Sequence, residues 1–255
     1  MVEPTGYLRI ADIDGIRTIT LDRPEARNAM TPPMRVELGE LLQIADQDAD
    51  VRAVVITGTD PVFSGGVDFK VIAADDDRYR KQFAANPGRA LRAMRTPVIC
   101  AVNGACVSGA LEIALSCSFI VASERARFAD THARLGEIAT WGLTALLPRA
   151  IGVRKARELS ITGNFIDAAE ALRIGLVNHV VPHDELLPFV HQLAGQIATT
   201  PAVGEILALY DRGEDLGLSA AFAAETAHVS GRHFDREEFT RLGGLTAARQ
   251  RGGEI

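Results

Sequence analysis

Two glycine-containing segments are placed to bring backbone N–H groups to one point. The first, Phe63 to Asp68, follows an apolar run and a loop, and the second, Asn103 to Glu112, follows another apolar run and enters a predicted helix. Glycine at such a junction lets a ligand approach the main chain closely. A helix N-terminus has unpaired N–H groups and a partial positive charge. Two N–H groups that converge there form an oxyanion hole, which stabilises negative charge on a carbonyl oxygen.

Either segment alone is weak evidence, because glycine-rich turns between strands and helices are common. Neither is a phosphate-binding loop, since the chain has no GxxxxGK[ST] sequence and no GxGxxG after a predicted strand. The interpretation therefore depends on the elements around both segments and on the rest of the chain.

Short apolar runs predict the strands that position the two segments. Runs of this kind mark strands covered on both faces, and they are Ala53–Thr57, Val98–Val102 and Phe119–Ala122. Tyr7–Ile10 and Ile16–Leu21 predict a hairpin around Asp14-Gly15. Val177 to Val181 predicts a short edge strand. Strands thus dominate the first half of the chain, with helices between them, which indicates an α/β core.

Helices are predicted after Thr31 and through most of the second half. The apolar positions expected to pack in the first helix are Val36, Leu38, Leu41, Leu42 and Ile44. Asp184 is predicted to cap a helix that reaches about Thr199. The final helices are expected from Pro201, at Leu218 to Val229 and at Phe234 to Arg249.

Composition excludes some classes of protein. The chain has 255 residues, of which 47% are hydrophobic and 5% aromatic, so one sizeable core of small aliphatic residues is expected. The net charge of −6 argues against a nucleic-acid binder. Arg89, Arg92 and Arg95 form either a solvated helix face or a patch for a phosphorylated ligand. No run of about 18 apolar residues is present, so no membrane span is expected.

Together, the two segments resemble a known family. Phe63 to Asp68 resembles the F-x-x-G-x-D element of the enoyl-CoA hydratase/isomerase (crotonase) family, and Asn103 to Glu112 resembles its N-G-x-x-x-G-G-G-x-E element. Further matches to the family lie at Leu21 to Met30, Thr96 to Gly104, Leu159 to Gly163 and Ala168 to Val177. About the last thirty residues fit poorly. The combination of motifs is specific for the family, but it is weak evidence for which reaction the enzyme catalyses.

The resemblance assigns the oxyanion donors and the substrate contacts. It implies that the backbone N–H groups of Val67 and Gly109 form the hole, and that Val67 to Lys70 line the cleft for an acyl-CoA. The full set of substrate-binding residues expected from it is Arg27, Phe63, Gly65, Gly66, Val67, Asp68, Phe69, Lys70, Gly109 and Trp141. Coenzyme A would belong to the substrate, so no metal and no separate cofactor are expected.

The resemblance also implies an acid–base pair, and here the chain departs from the family. Glu112 aligns with the first of two glutamates, although an acidic residue is also favoured in a first helical turn by the helix dipole. His132 occupies the position of the second. Its ring can exchange a proton near neutral pH, or it can serve as a hydrogen-bonded wall residue. Asp130 either orients this ring or, by strand-like spacing, points away.

A second departure follows this loop. The family's Pro-Gly turn is replaced by Gly136 to Gly142, which alters the turn that shapes the acyl pocket. Glu137 is an alternative displaced acid. Trp141 is expected to pack against the acyl pocket or the core.

The implied function is hydration of a trans-2-enoyl-CoA in fatty-acid or related acyl-CoA metabolism, with Glu112 and His132 as acid–base residues. Alternatives are double-bond isomerisation, another reaction at the same hole, or a scaffold that binds acyl-CoA or RNA without turnover. The acidic composition weakens the RNA alternative.

The resemblance finally implies architecture and assembly. It predicts a ClpP/crotonase-like spiral core of ββα units over residues 1–195 and a helical trimerisation or cover region over residues 196–255. Family members form homotrimers or hexamers built as dimers of trimers. Residues Met1 to Pro4 carry no charged or apolar leader pattern, and three cysteines without ligand spacing indicate free thiols, so a cytoplasmic location is expected.

Overall fold

The chain folds into two β-sheets with helices around them. A computed structural model describes residues 3–72, 86–214, 216–233 and 235–243. Its strands are β1 (Leu8–Ile13), β2 (Ile16–Leu21), β3 (Ala53–Gly58), β4 (Val62–Ser64), β5 (Val98–Val102), β6 (Ala105–Val107), β7 (Phe119–Ser123), β8 (Arg127–Ala129), β9 (Ile166–Asp167) and β10 (His179–Val181). One sheet has the order β1-β2-β3-β5-β7-β10, and the other has the order β4-β6-β8-β9.

The helices become more frequent toward the C-terminus, as predicted. They are α1 (Pro32–Gln47), α2 (Phe69–Ile72), α3 (Pro87–Ala93), α4 (Gly109–Ser116), α5 (Leu143–Ile151), α6 (Val153–Thr162), α7 (Ala168–Arg173), α8 (Leu186–Gly195), α9 (Pro201–Glu214), α10 (Leu218–Ser230) and α11 (Arg236–Arg241). Short 3₁₀ helices lie at Pro24–Ala26, Ala133–Leu135 and His183–Glu185. No helix of the described residues is both long and apolar enough to cross a membrane.

The middle of the chain repeats one unit. In each repeat, a strand of the six-stranded sheet is followed at once by a strand of the four-stranded sheet: β3 by β4, β5 by β6, and β7 by β8. Equivalent strands of successive repeats pair in parallel. This is the predicted spiral of ββα units. Because β4 and β6 are neighbours, the chain segments that leave them lie side by side, and these are the two glycine-containing segments.

The six-stranded sheet is covered on both faces, which explains its apolar strands. Alternate residues of β3 and β5, such as Val54 and Cys100, enter a core with α1 and α4. The intervening residues, such as Val55 and Ile99, pack in a second core under Leu186 and its neighbours in α8. Strands buried on both faces need apolar side chains at every position.

Several details differ from the predictions. The short strands β4, β6 and β9 were not predicted, since two or three residues are too few to show a period. Asp184 is not a helix cap but lies inside a 3₁₀ helix, and α8 ends at Gly195, because glycine disfavours further helix. Phe234 and residues 244–255 lie outside the described residues. Of the last predicted helix, Phe234 to Arg249, the structure therefore describes only the part that forms α11.

All three cysteines are free, as predicted, and burial raises the pKa values of the Cys100 and Cys106 thiols.

The chain divides into two compact units, Met1–Ala208 and Leu209–Ile255. The roles predicted for residues 1–195 and 196–255 stay predictions.

Asn28 fixes the turn that precedes α1 onto the loop around β4. It is fully buried and adopts a left-handed φ of 53°. Its Nδ2 donates to the carbonyl oxygens of Thr59 at 2.7 Å and Val62 at 2.8 Å, and its Oδ1 accepts the N–H of Arg23 at 2.9 Å. Nδ2 also lies 3.2 Å from Phe63 O, so one side chain serves four backbone groups in the interior.

We predict that Asn28→Ala lowers the free energy of unfolding by about 2–4 kcal/mol, because buried backbone groups lose partners and alanine is strained at this φ. Asn164→Ala, at an exposed position, is the control and should change it by less than about 0.5 kcal/mol. Urea denaturation at matched protein concentration measures both. An Asn28→Ala effect as small as that of the control would contradict the assignment.

Candidate active site

The first glycine-containing segment is held so that Val67 turns its N–H away from its supporting strand. Met30 N–H donates to Gly66 O at 2.8 Å, and Asp68 N–H donates to Met30 O at 3.0 Å. In such a parallel bridge, the residue between the two bonds directs its own N–H to the opposite side. Val67 is that residue.

The second segment meets the first at the start of α4. Gly66 has φ +92°, and a Cβ placed on it would lie 2.7 Å from Val107 O and 3.2 Å from Gly109 N. A Cβ on Gly109 would lie 3.1 Å from Val67 Cγ2 and 3.0 Å from Trp141 Cζ3. The glycines therefore permit close contact of the two chains.

Gly109 is the first residue of α4, so its N–H has no acceptor within that helix. The helix dipole adds partial positive charge at the same place. The fold thus places Val67 and Gly109 next to each other, and their role as an oxyanion hole stays a prediction.

Glu112 lies one turn into α4 and is 1% exposed. Its Oε1 accepts the N–H of Trp141 at 2.6 Å and the N–H of Leu143 at 3.2 Å. Burial raises the pKa of this carboxyl above its ordinary value, and the two backbone hydrogen bonds oppose that shift only in part. Since two donors occupy Oε1, a proton on Glu112 resides on Oε2.

His132 faces Glu112 across a narrow gap. Its Nε2 lies 3.9 Å from Glu112 Oε2, and its Nδ1 lies 2.6 Å from Asp130 Oδ1. The gap is too long for a direct hydrogen bond. A single water molecule can contact both atoms. Because Asp130 Oδ1 is within hydrogen-bonding distance of His132 Nδ1, the alternative in which Asp130 points away from the ring is wrong.

Asp130 determines which nitrogen of His132 carries the proton. Burial raises the pKa of the Asp130 carboxyl, but hydrogen bonds from His132 and the Ser160 hydroxyl outweigh it and hold that pKa below its ordinary value. An ionised carboxylate only accepts hydrogen bonds, so Nδ1 carries the hydrogen. The neutral ring then presents the lone pair of Nε2 to Glu112.

Trp141 contacts both Gly109 and Glu112. Its ring lies against the Gly109 position, its backbone N–H donates to Glu112 Oε1, and its carbonyl oxygen accepts a hydrogen bond from Arg92 Nη1 at 3.2 Å. Arg35, a residue of α1, has its Cζ 5.4 Å from the centroid of the Trp141 ring. Trp141 is 1% exposed and belongs to the core cluster, one of the two placements predicted for it.

Arg35 was not predicted from the sequence. It lies on the buried face of α1 with Met34, Leu38 and Leu42, and burial lowers its pKa to about 10. Val36 and Ile44, which were predicted to pack, are instead 38% and 41% exposed. The sequence did offer a signal for its burial, because Arg35 is in register with Leu38 and Leu42. A charged residue conflicts, however, with the apolar stripe expected on that face.

A cleft of about 490 Å³ lies beside Val67. Five residues of the predicted substrate set line it: Arg27, Val67, Asp68, Phe69 and Lys70. Arg23, which was not in that set, also lines it and binds Asp68 Oδ2 through Nη1 at 2.6 Å. Basic side chains at the cleft are suited to phosphate groups.

Other predicted residues are placed differently. Phe63 is fully buried in the core, and Gly65 N–H donates to Arg27 O at 2.9 Å, so both support the loop and their substrate contacts stay predictions. Glu137 N–H donates to His132 O at 3.0 Å, which closes the loop that follows β8. Its role as a displaced acid stays a prediction.

Known proteins resemble this chain in sequence and in fold. The sequence model of the enoyl-CoA hydratase/isomerase family matches residues 12–241. The protein named probable enoyl-CoA hydratase 1, peroxisomal, from Arabidopsis thaliana is 34% identical over 239 residues, which cover 92% of this chain and 90% of that one. The solved enoyl-CoA hydratase of Mycobacterium tuberculosis H37Rv is 41% identical, with a TM-score of 0.74 over 88% of this chain and 97% of that chain.

A relative with another reaction is similar to nearly the same extent. A monofunctional enoyl CoA isomerase from M. smegmatis is 35% identical, with a TM-score of 0.73 over 86% of this chain and 99% of that chain. The fold and these relatives define a class of enzymes that act on acyl thioesters. The chain belongs to the enoyl-CoA hydratase/isomerase family.

We predict that the Glu112 carboxyl titrates above the ordinary glutamic acid value of 4.5, because burial penalises its charged form. Infrared difference spectra across a pH series would show its protonated C=O band. Glu112→Gln is the isosteric control that should remove only this band. Titration of that band at or below 4.5 would contradict the description of the site.

Proposed function

We propose that the enzyme hydrates trans-2-enoyl-CoA thioesters. The observation that carries this proposal is the 3.9 Å gap between Glu112 Oε2 and His132 Nε2 beside the paired N–H groups. Hydration needs one group to take a proton from water and another to give a proton to the α-carbon. Two proton carriers that face one point supply both functions.

The thioester carbonyl would accept hydrogen bonds from Val67 and Gly109. These bonds withdraw electron density from the conjugated double bond, so water adds at the β-carbon. Charge then develops on the carbonyl oxygen as an enolate. Fixed donors in a site shielded from water contribute most at this stage, at about 3–4 kcal/mol per donor in comparable enzymes.

We assign the two proton transfers on the basis of the hydrogen-bond pattern. His132 Nε2 takes the proton of the attacking water, and Asp130 stabilises the imidazolium that forms. Glu112 in its neutral form, the form that burial favours, would give the proton on Oε2 to the α-carbon. The imidazolium then returns a proton to Glu112 across the gap, which restores both groups.

The cleft beside Val67 would hold the coenzyme A part of the substrate. Arg27 and Lys70 bring positive charge to it, and the short α2 begins at its edge. Because Val67 belongs to both the cleft and the hole, a ligand in the cleft would lead directly to the reacting carbonyl.

We predict that the purified protein lowers the ultraviolet absorbance of crotonyl-CoA or a longer enoyl-CoA as its conjugated bond is hydrated. Glu112→Gln and His132→Gln should each reduce kcat by about 10² to 10⁴-fold, because each removes one proton transfer. His179→Gln, an exposed histidine on β10, is the control and should leave kcat unchanged. No turnover over a range of chain lengths would reject hydration.

Isomerisation of the double bond is the second candidate, and the similarity to the M. smegmatis isomerase favours it. A single acid–base residue can move a proton between two carbons. Activity that is lost in Glu112→Gln and kept in His132→Gln, with a 3-enoyl-CoA as substrate, would identify the isomerase.

We predict that Asp130→Asn lowers kcat by about 10² to 10⁴-fold while the KM for enoyl-CoA changes little. An amide can present N–H to Nδ1, which would move the ring proton to Nε2 and block its role as base. Steady-state kinetics separate the two constants. A variant with wild-type kcat would show that Asp130 does not set the tautomer.

Assembly and location are further proposals. Ile138 and Ile161 are 77% and 74% exposed, and a neighbouring subunit of a trimer or of a dimer of trimers would cover such side chains. Light scattering coupled to gel filtration should give a mass of three or six chains, and a monomer would reject this. A cytoplasmic location remains a proposal, since one relative is named peroxisomal.

A further inference from the structure

Ser108 occupies an unfavourable conformation immediately before the oxyanion donor Gly109. Its φ is +50° and its ψ is −108°, a region that favours glycine. The family pattern that this segment resembles has glycine at the same position. A serine there costs free energy that glycine would not, so its side chain should offer a compensating contact.

The hydroxyl of Ser108 does not do what serine usually does at this position. Ser108 is the N-cap of α4, where a serine side chain normally accepts an N–H of the helix, and here it makes no such bond. Its Oγ instead accepts the N–H of Thr131 at 2.9 Å and pairs with Thr131 Oγ1 at 2.8 Å.

The backbone of Ser108 is fixed on both sides as well. Its N–H donates to Ala129 O at 2.9 Å, and its carbonyl accepts the N–H of Glu112 at 3.0 Å. The residue is 3% exposed. It therefore contacts the start of α4 and the loop that ends in His132 at the same time.

This placement connects the two halves of the site. The ψ angle of Ser108 sets the direction of the next peptide group, whose N–H belongs to Gly109. Thr131 immediately precedes His132, and its main chain is held by the Ser108 hydroxyl. One side chain thus fixes the base relative to the oxyanion donor.

We propose that Ser108 is a positioning residue, whose hydroxyl acts through Thr131 to hold His132 Nε2 in line with the substrate bound at Gly109. The proposal rests on the hydration reaction for its kinetic readout. It predicts an effect on kcat rather than on KM, because Ser108 fixes the geometry of proton transfer and leaves the cleft beside Val67 unchanged.

The test compares Ser108→Gly and Ser108→Ala with Ser123→Ala. Glycine removes the hydroxyl and relieves the backbone, whereas alanine removes the hydroxyl and keeps the strain. Ser123 is a matched control, since it is also fully buried and its Oγ accepts a backbone N–H, that of Arg125 at 3.1 Å, and contacts His183 Nδ1 at 3.0 Å.

Both Ser108 variants should lose at least about tenfold in kcat, with KM for enoyl-CoA within about twofold of wild type. The thermal midpoint of Ser108→Gly should stay close to that of wild type. Ser123→Ala should lower the midpoint and keep kcat. Ser108→Gly with wild-type kcat would overturn the proposal, as would an equal loss of kcat in Ser123→Ala.

A second readout separates this proposal from the hydration reaction itself. Crystal structures of both Ser108 variants show directly whether the hydroxyl holds His132. Without it, His132 Nε2 should move from its position 3.9 Å from Glu112 Oε2, whether or not the wild type hydrates an enoyl-CoA. If wild type shows no hydration and this displacement is seen, the proposed function fails and the role of Ser108 is still supported. An unchanged His132 in both variants would overturn it.

Discussion

The buried carboxyl of Glu112 is the constraint on which the rest of the site depends. A carboxylate removed from water is costly, so its neighbours must either neutralise it or supply hydrogen bonds. The backbone N–H groups of Trp141 and Leu143 do the latter for one oxygen. The other oxygen, Oε2, faces His132 Nε2 at 3.9 Å. Trp141 lies in the segment that replaces the family's Pro-Gly turn, and Leu143 directly follows it, so the path of this segment brings both N–H groups to the acid.

The same constraint explains why histidine works beside Glu112. Two carboxyl groups at a short separation cannot both ionise, and one of them must stay neutral. A histidine is neutral before it accepts a proton and positive afterwards. Its charged form is therefore attracted to the ionised form of Glu112, whereas a second carboxylate would be repelled. Asp130 supplies the missing negative charge one step away, on the far side of the ring. The chain therefore replaces one carboxylate by a carboxylate–imidazole pair.

Much of this arrangement could be predicted from the sequence, and the reasons for the exceptions are physical. The apolar runs of β3, β5 and β7 and the positions of Val67, Gly109 and Glu112 follow from strand periodicity and family spacing. The strands β4 and β6 did not, because three residues show no period. Arg35 was missed because a charged residue is normally exposed, although its register with Leu38 and Leu42 places it on the buried face of α1. The contact of Ser108 with Thr131 joins residues 23 positions apart, and only the parallel pairing of β6 with β8 brings them together.

In the proposed reaction, the substrate carbonyl lies on the Val67 and Gly109 N–H groups, and the β-carbon of the same substrate lies between Glu112 and His132. A crystal structure with a bound 3-hydroxyacyl-CoA product would show whether this is so. We expect the thioester oxygen at about 2.7–3.1 Å from both nitrogens, and the 3-hydroxyl within hydrogen-bonding distance of Glu112 Oε2 and His132 Nε2. A carbonyl held elsewhere, or a hydroxyl that contacts neither side chain, would contradict it.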